Sequence, residues 1–296
     1  MWMQILINAG FQFIGNDYMG IWKDSIMDAN KKGFFESKFR NGLNYTNNPN
    51  SETGMYIHPR FFVRHAIKVF SPGLIKTEIA FIHRVIATIR PWREYCSSIE
   101  RLLAIEEQYI LSQPEKEGQP SNEVRAIMHK GNLHPALVWW KDNFDLLFDA
   151  MSRRYPINFI AYDRLLETPD EIIPSVLQWC NQTFESDFFK DDIATLDIEA
   201  AVKTVDQSMR TQKSPQLVEH PIPNDCIEVF DELYDCFYNK GAQLSEGFRS
   251  RLNATNDIMN KMIVSGERSG QNKKIEQLQS LGCSDAQIKK LLKRMN

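Results

Sequence analysis

Apolar residues recur along this chain at three- and four-residue spacing, and short continuous apolar runs break that rhythm at a few places. Met1 to Asn8 carries the helical spacing and is stopped by Gly10. His65 to Phe70 (HAIKVF) is a short run with β-branched residues, closed by Ser71-Pro72-Gly73, and predicts a strand. His83 to Ile89 (HRVIATI) predicts a second strand, and Pro91 then opens a long helix at the position where its missing N–H costs nothing. Pro135 starts another helix that runs to about Arg154, with Trp139, Trp140, Phe144 and Phe148 at core spacing. Pro156 to Tyr162 (PINFIAY) predicts a third strand, Asp163 to Pro169 a turn, and the following residues a helix to Cys180. Between these lie a loop from Asn30 to Asn50, rich in Asn, Lys and Gly, and a polar loop from Gln113 to Ser121.

Strands that alternate with helices predict a parallel sheet with crossover helices, hence an α/β fold. From Ile222 onward the pattern is nearly all helical. A division at 264/265 follows from composition: SGERSGQNKK has the character of a linker, and IEQLQSLGCSDAQIKKLLKRMN predicts two short helices with a break at Gly282 and a cap at Ser284.

Composition narrows the function classes. The 43% apolar and 11% aromatic content belongs to a globular chain with a substantial core. The formal net charge of −3 gives no global positive field for nucleic acid or an anionic membrane surface, so any anion site must be local. No stretch reaches about 18 uninterrupted apolar residues. The apolar start, MWMQILINAGF, lacks the basic and small-residue flanks of a signal peptide. The five cysteines are scattered, with no CxxC pair and no Cys/His cluster at metal-ligand spacing, which predicts reduced thiols in a cytoplasmic protein without a bound metal.

The stretch HRVIATIRPWREYCSS carries the most chemistry. An apolar strand ends at Arg90, a helix begins at Pro91, Arg93 lies within its first turn and Ser98 stands eight residues beyond Arg90. A strand end that feeds a helix N-terminus is where α/β folds bind ligands. The open N–H groups and the dipole of that helix favour a phosphate there, and Arg90 and a serine hydroxyl can add donors. The plain structural reading is of two solvated arginines and a surface serine. An arginine so close to a helix N-terminus opposes the dipole, and a bound anion would offset that.

R-P-W-R-E-Y-C-S-S resembles the 3′-phosphate-binding signature of the sulfotransferases that use 3′-phosphoadenosine 5′-phosphosulfate (PAPS), in the bacterial form where Arg-Pro opens the helix. Further blocks resemble that family in order: MQILINAGFQFIGNDY its first helix and loop, NKKGFFES its Gly-aromatic-aromatic-Glu segment, and AIKVFSPGLI its lysine-bearing strand. INFIAYDRLLETPDEIIPSVLQWCN resembles its late strand and turn, and VDQSMRTQK the basic segment that returns to the nucleotide. The resemblance spans about Met1 to Lys213. It implies a three-layer parallel sheet flanked by helices, of the P-loop NTPase-like type, over residues 1–264, with a linker and helical hairpin over 265–296. It implies sulfuryl transfer from PAPS, without a metal, to a hydroxyl or amine on a small-molecule or glycan acceptor. Arg90, Ser98 and Arg210 are implied at the 3′-phosphate, and Lys68 near the transferred group.

Two departures accompany the resemblance. The family opens with a strand and a loop resembling Gly-x-Pro-Arg-Ser-Gly-Thr that cradles the 5′-phosphosulfate, and this sequence begins in the helix expected after it. MIVSGERSGQNKK resembles a relocated phosphate loop, although its loop is one residue shorter than the P-loop pattern, and a linker is the competing reading. Where cytosolic members place a histidine two positions after the strand lysine, this chain has Phe70, which leaves Glu36 and His58 as candidate bases. A chain on this scaffold that binds nucleotide or a partner without catalysis is the alternative to an enzyme.

Overall fold

The computed structural model describes residues 1–15, 33–44, 58–62, 65–115, 117–182, 195–206, 219–239 and 245–293. Within them the chain is α/β and mostly helical. Helix α1 (Trp2–Asn8) leads to strand β1 (Gln12–Ile14). Strand β2 (His65–Ile67) is followed by a short helix α2 (Ser71–Ile75), then by strand β3 (Val85–Ile89). Helices α3 (Trp92–Ser112), α4 (Asn122–His129) and α5 (Pro135–Arg153) connect β3 to strand β4 (Ile157–Ala161). Helices α6 (Tyr162–Glu167), α7 (Pro169–Asn181), α8 (Ile198–Val202), α9 (Asn224–Tyr238), α10 (Glu246–Ser280) and α11 (Asp285–Lys293) complete it. The turn expected over 163–169 is therefore mostly the helix α6.

The strands form two parallel pairs among the described residues. β1 runs beside β2 with Ile14 opposite Ile67, and β3 beside β4 with Ile89 opposite Ala161. Alternate side chains of a strand face opposite ways, and β3–β4 uses both faces. Val85, Ala87, Ile157 and Phe159 pack with Leu74 of α2 and with Leu146 and Ala150 of α5. Ile86 and Ile160 pack on the other face with Ile5 and Ala9 of α1, Ile173 and Leu177 of α7 and Ala201 of α8. The largest core lies beyond the first face. There Phe230 of α9 stacks on Trp139, meets Trp140 at 4.6 Å and abuts the edge of Trp92. Each indole nitrogen finds an acceptor: Trp92 on Asp231, Trp139 on the Arg90 carbonyl, Trp140 on Asn256. Of the four aromatic residues at core spacing on α5, Phe148 departs from the expectation and is 65% exposed.

The stretch expected as a linker over 265–274 is the interior of α10. Phe248, Leu252, Thr255, Met259, Ile263, Lys274 and Leu278 form one buried stripe on this helix. Gly266 and Gly270 continue the stripe where α10 crosses the α4–α5 turn. A Cβ at Gly270 would lie 2.2 Å from the Asn132 carbonyl oxygen. Lys274 is buried and donates to the Met128 carbonyl in the last turn of α4, at 3.4 Å. Small residues are needed where two backbones approach, and a cation suits a helix C-terminus. The polar and glycine-rich composition here marks a close crossing. The same residues cannot form a relocated phosphate loop, because their N–H groups are engaged in the helix. Of the two short helices expected after it, the first is the end of α10 and the second is α11, and both share a core with α4: Leu278 and Ile288 pack on Val124.

Candidate functional site

Candidate residues gather at the carboxyl ends of both strand pairs. At β3–β4, Arg90 and Tyr162 are the first residues past the last registered pair, Ile89 and Ala161. The Arg90 guanidinium lies over the Tyr162 ring, 4.2 Å from its centroid. Arg90 is half-buried and pairs with no carboxylate among the described residues. Pro91 caps α3, one place earlier than the sequence reading put it. Ser98 sits two turns into α3, half-buried, and its hydroxyl makes no hydrogen bond to another described residue. Arg93, by contrast, is consumed structurally: it bonds both oxygens of Asp231 on α9 at 2.8 and 3.2 Å and stacks on Trp92. Arg210 lies outside the described residues.

At β1–β2 the chemistry is a closed ion cluster. Lys68 follows β2 directly. The Glu36 backbone passes Gly15, just beyond β1, where a Cβ would lie 2.9 Å from the Glu36 carbonyl oxygen. Glu36 is only 3% exposed. Its Oε1 accepts from Lys68 Nζ at 3.1 Å, and its Oε2 from Arg40 at 2.9 Å. Lys68 also donates to the Phe34 carbonyl at 3.0 Å and stands 5.7 Å from the ring centroids of Phe34 and Phe70. The structure thus joins Glu36 and Lys68, two candidates 32 residues apart, and engages both. His58 is exposed, next to the 3-10 turn Pro59–Phe62.

Sequence reasoning missed Tyr162 and Asp142. Tyr162 stood at the end of a predicted strand, and its position opposite Arg90 follows only from the β3–β4 register. The carboxylate of Asp142 on α5 has no hydrogen bond or ion pair among the described residues. Burial raises its carboxyl to about 6; Lys141 partly offsets this and Asp145 adds to it. Nothing in the helical spacing of α5 distinguishes Asp142 from a surface aspartate.

Among the described residues no group of His, Cys, Asp or Glu could hold a metal ion, and no helix is long and apolar enough to cross a membrane. Comparison with known proteins gives no match, whether to a protein-family model, a curated protein or a solved structure.

Proposed function

We propose that the chain is a PAPS-dependent sulfotransferase scaffold and that the carboxyl end of β3 binds the donor's 3′-phosphate. One observation carries this reading. Arg90, half-buried at a strand end and beside the start of α3, has an aromatic face against it and no carboxylate. A guanidinium in that setting is short of an anion, whereas Arg40, Arg93 and Arg153 each have a carboxylate partner. The unbonded Ser98 hydroxyl supplies a second donor on the same strand–helix unit. These residues fit the phosphate end of the nucleotide. No glycine-rich strand-to-helix loop that would fit the 5′-phosphosulfate occurs among the described residues.

In the finer fold reading, the two strand pairs are halves of one parallel sheet in three layers. What supports it is α1, which packs against β1 and β2 and also against Ile86 and Ile160 of the other pair, so that it spans both. Among the described residues β2 and β3 are each paired on one side only.

In the reaction, an acceptor hydroxyl or amine forms a bond to sulfur as the bond from sulfur to the bridging phosphate oxygen breaks. The acceptor proton passes to a base, and 3′-phosphoadenosine 5′-phosphate leaves. Lys68 is the candidate cation for the bridging oxygen, and Glu36 and His58 are the candidate bases. The two ion pairs of Glu36 favour a second reading, a nucleotide-binding protein without catalysis. Calorimetry with 3′-phosphoadenosine 5′-phosphate tests the shared claim. Saturable binding is expected, weakened about 10- to 100-fold in Arg90→Ala. Absent binding, or an unchanged affinity in the variant, refutes it. Radiolabelled sulfate transfer to simple phenols and amines then separates enzyme from binder.

A further inference from the structure

We infer that Tyr162 is a positioning residue that fixes the plane of the Arg90 guanidinium for 3′-phosphate recognition, an inference that rests on the donor-binding reading above. The parallel register makes Arg90 and Tyr162 neighbours, because each follows the Ile89–Ala161 pair. Adjacent strands lie about 4.8 Å apart, so side chains at matching positions meet. The phenol ring is 8% exposed and the guanidinium carbon stands 4.2 Å from its centroid.

The ring is held from behind. Tyr162 opens α6, whose Leu165 and Leu166 are buried in the core. α6 is joined to α9 by three polar contacts: Tyr234 donates to Asp163 at 2.8 Å, Arg164 donates to the Tyr238 carbonyl at 3.0 Å, and the Tyr238 hydroxyl meets Glu167. These contacts hold the Tyr162 backbone in place, and burial of the side chain opposes a change of its rotamer.

A guanidinium stacked on a fixed ring keeps its edge, with its N–H donors, directed away from the ring. A phosphate accepts two parallel N–H bonds from such an edge. A flexible arginine would lose side-chain freedom on binding, and one already held by the ring loses less. Arg153 shows the alternative on the same molecule: its guanidinium is set by Asp149 at 2.6 Å, and that carboxylate would oppose an incoming phosphate. An aromatic face orients the arginine without neutralising it.

The test compares 3′-phosphoadenosine 5′-phosphate with adenosine 5′-phosphate, which lacks the 3′-phosphate, in calorimetric titrations of the full chain. Wild type should prefer the first. Tyr162→Leu should reduce that preference about 5- to 30-fold while leaving adenosine 5′-phosphate within about twofold. Tyr162→Phe, which keeps the ring, should retain the preference. Arg90→Lys keeps the charge but not the plane. It should match Tyr162→Leu, and the double variant should add nothing further. An intact preference in Tyr162→Leu, an equal loss for both ligands, or a loss in Tyr162→Phe each overturns the role of the ring. If Tyr162→Leu does not fold, Arg90→Lys decides, and a full preference there overturns the inference. A wild type that shows no preference for the 3′-phosphate instead refutes the reading on which the inference rests.

Discussion

The carboxyl end of β1–β2 and that of β3–β4 both present cations, and they are finished in opposite ways. Beside β2, Lys68 and Arg40 close on Glu36, so each cation meets a carboxylate within the protein. Beyond β3, Arg90 rests on an uncharged ring and keeps its charge available. Removing one member of a buried ion pair leaves its partner's desolvation uncompensated, whereas removing a cation from an aromatic face forfeits only a weak attraction. The first arrangement ties the cations into the fold, and the second leaves a cation without a carboxylate partner among the described residues. Strand-end position alone does not separate them; the partner of each cation does.

The comparison can be broken most severely at Gly73. A Cβ there would lie 2.6 Å from the Arg40 carbonyl oxygen and 2.7 Å from the Gly42 nitrogen, both backbone atoms. Gly73→Val should force the Arg40 segment off α2 and cost about 3 kcal/mol or more in urea denaturation. A neutral outcome would mean that this end is not close-packed. Glu36→Gln comes next, with an expected loss of about 2–3 kcal/mol. That is less than for a fully buried pair, because Arg40 and Lys68 each keep 32% of their side-chain surface exposed. An equal loss in Arg90→Gln would erase the distinction between the two ends.

On the β3–β4 side, Asp142 is a half-buried carboxylate with no ion-pair partner among the described residues. Its folded pKa is raised from 3.8 to about 6, so the folded state binds more protons than the unfolded state between those values. The contribution of Asp142 to stability should therefore be greatest below about pH 4, fall as pH rises to about 6, and level off above. A drop of about 2 kcal/mol is expected once partial exposure is allowed for. Asp142→Asn should remove this component, which denaturation midpoints across pH 4 to 7 would reveal. A profile unchanged by the substitution would place the carboxyl in water. The smallest effect is expected at Arg90 itself. Arg90→Gln should change stability by less than about 1 kcal/mol, since only the stack on Tyr162 is lost.

Much of the scaffold was legible along the chain. The apolar runs at 65–70, 83–89 and 156–162 contain β2, β3 and β4, and the prolines at 91 and 135 stand at the starts of α3 and α5. The placement of Arg90 at a strand end before a helix followed from the same local pattern. Composition misled at 265–274, where glycines and a lysine continue a helical stripe because the Asn132 backbone presses against it. It misled again at Phe148, whose helical spacing fits a core that does not extend to it.

Local spacing thus determined which segments are helix or strand, because periodicity and turn residues act within a few positions of one another. Only the tertiary structure decided which charges meet. Arg93 reaches Asp231 from 138 residues away, Glu36 takes Lys68 and Arg40, and Arg90 receives a tyrosine in place of a carboxylate. Those partners are set by strand register and helix packing across the chain, and the same register that placed Tyr162 beside Arg90 left that arginine without a carboxylate partner among the described residues.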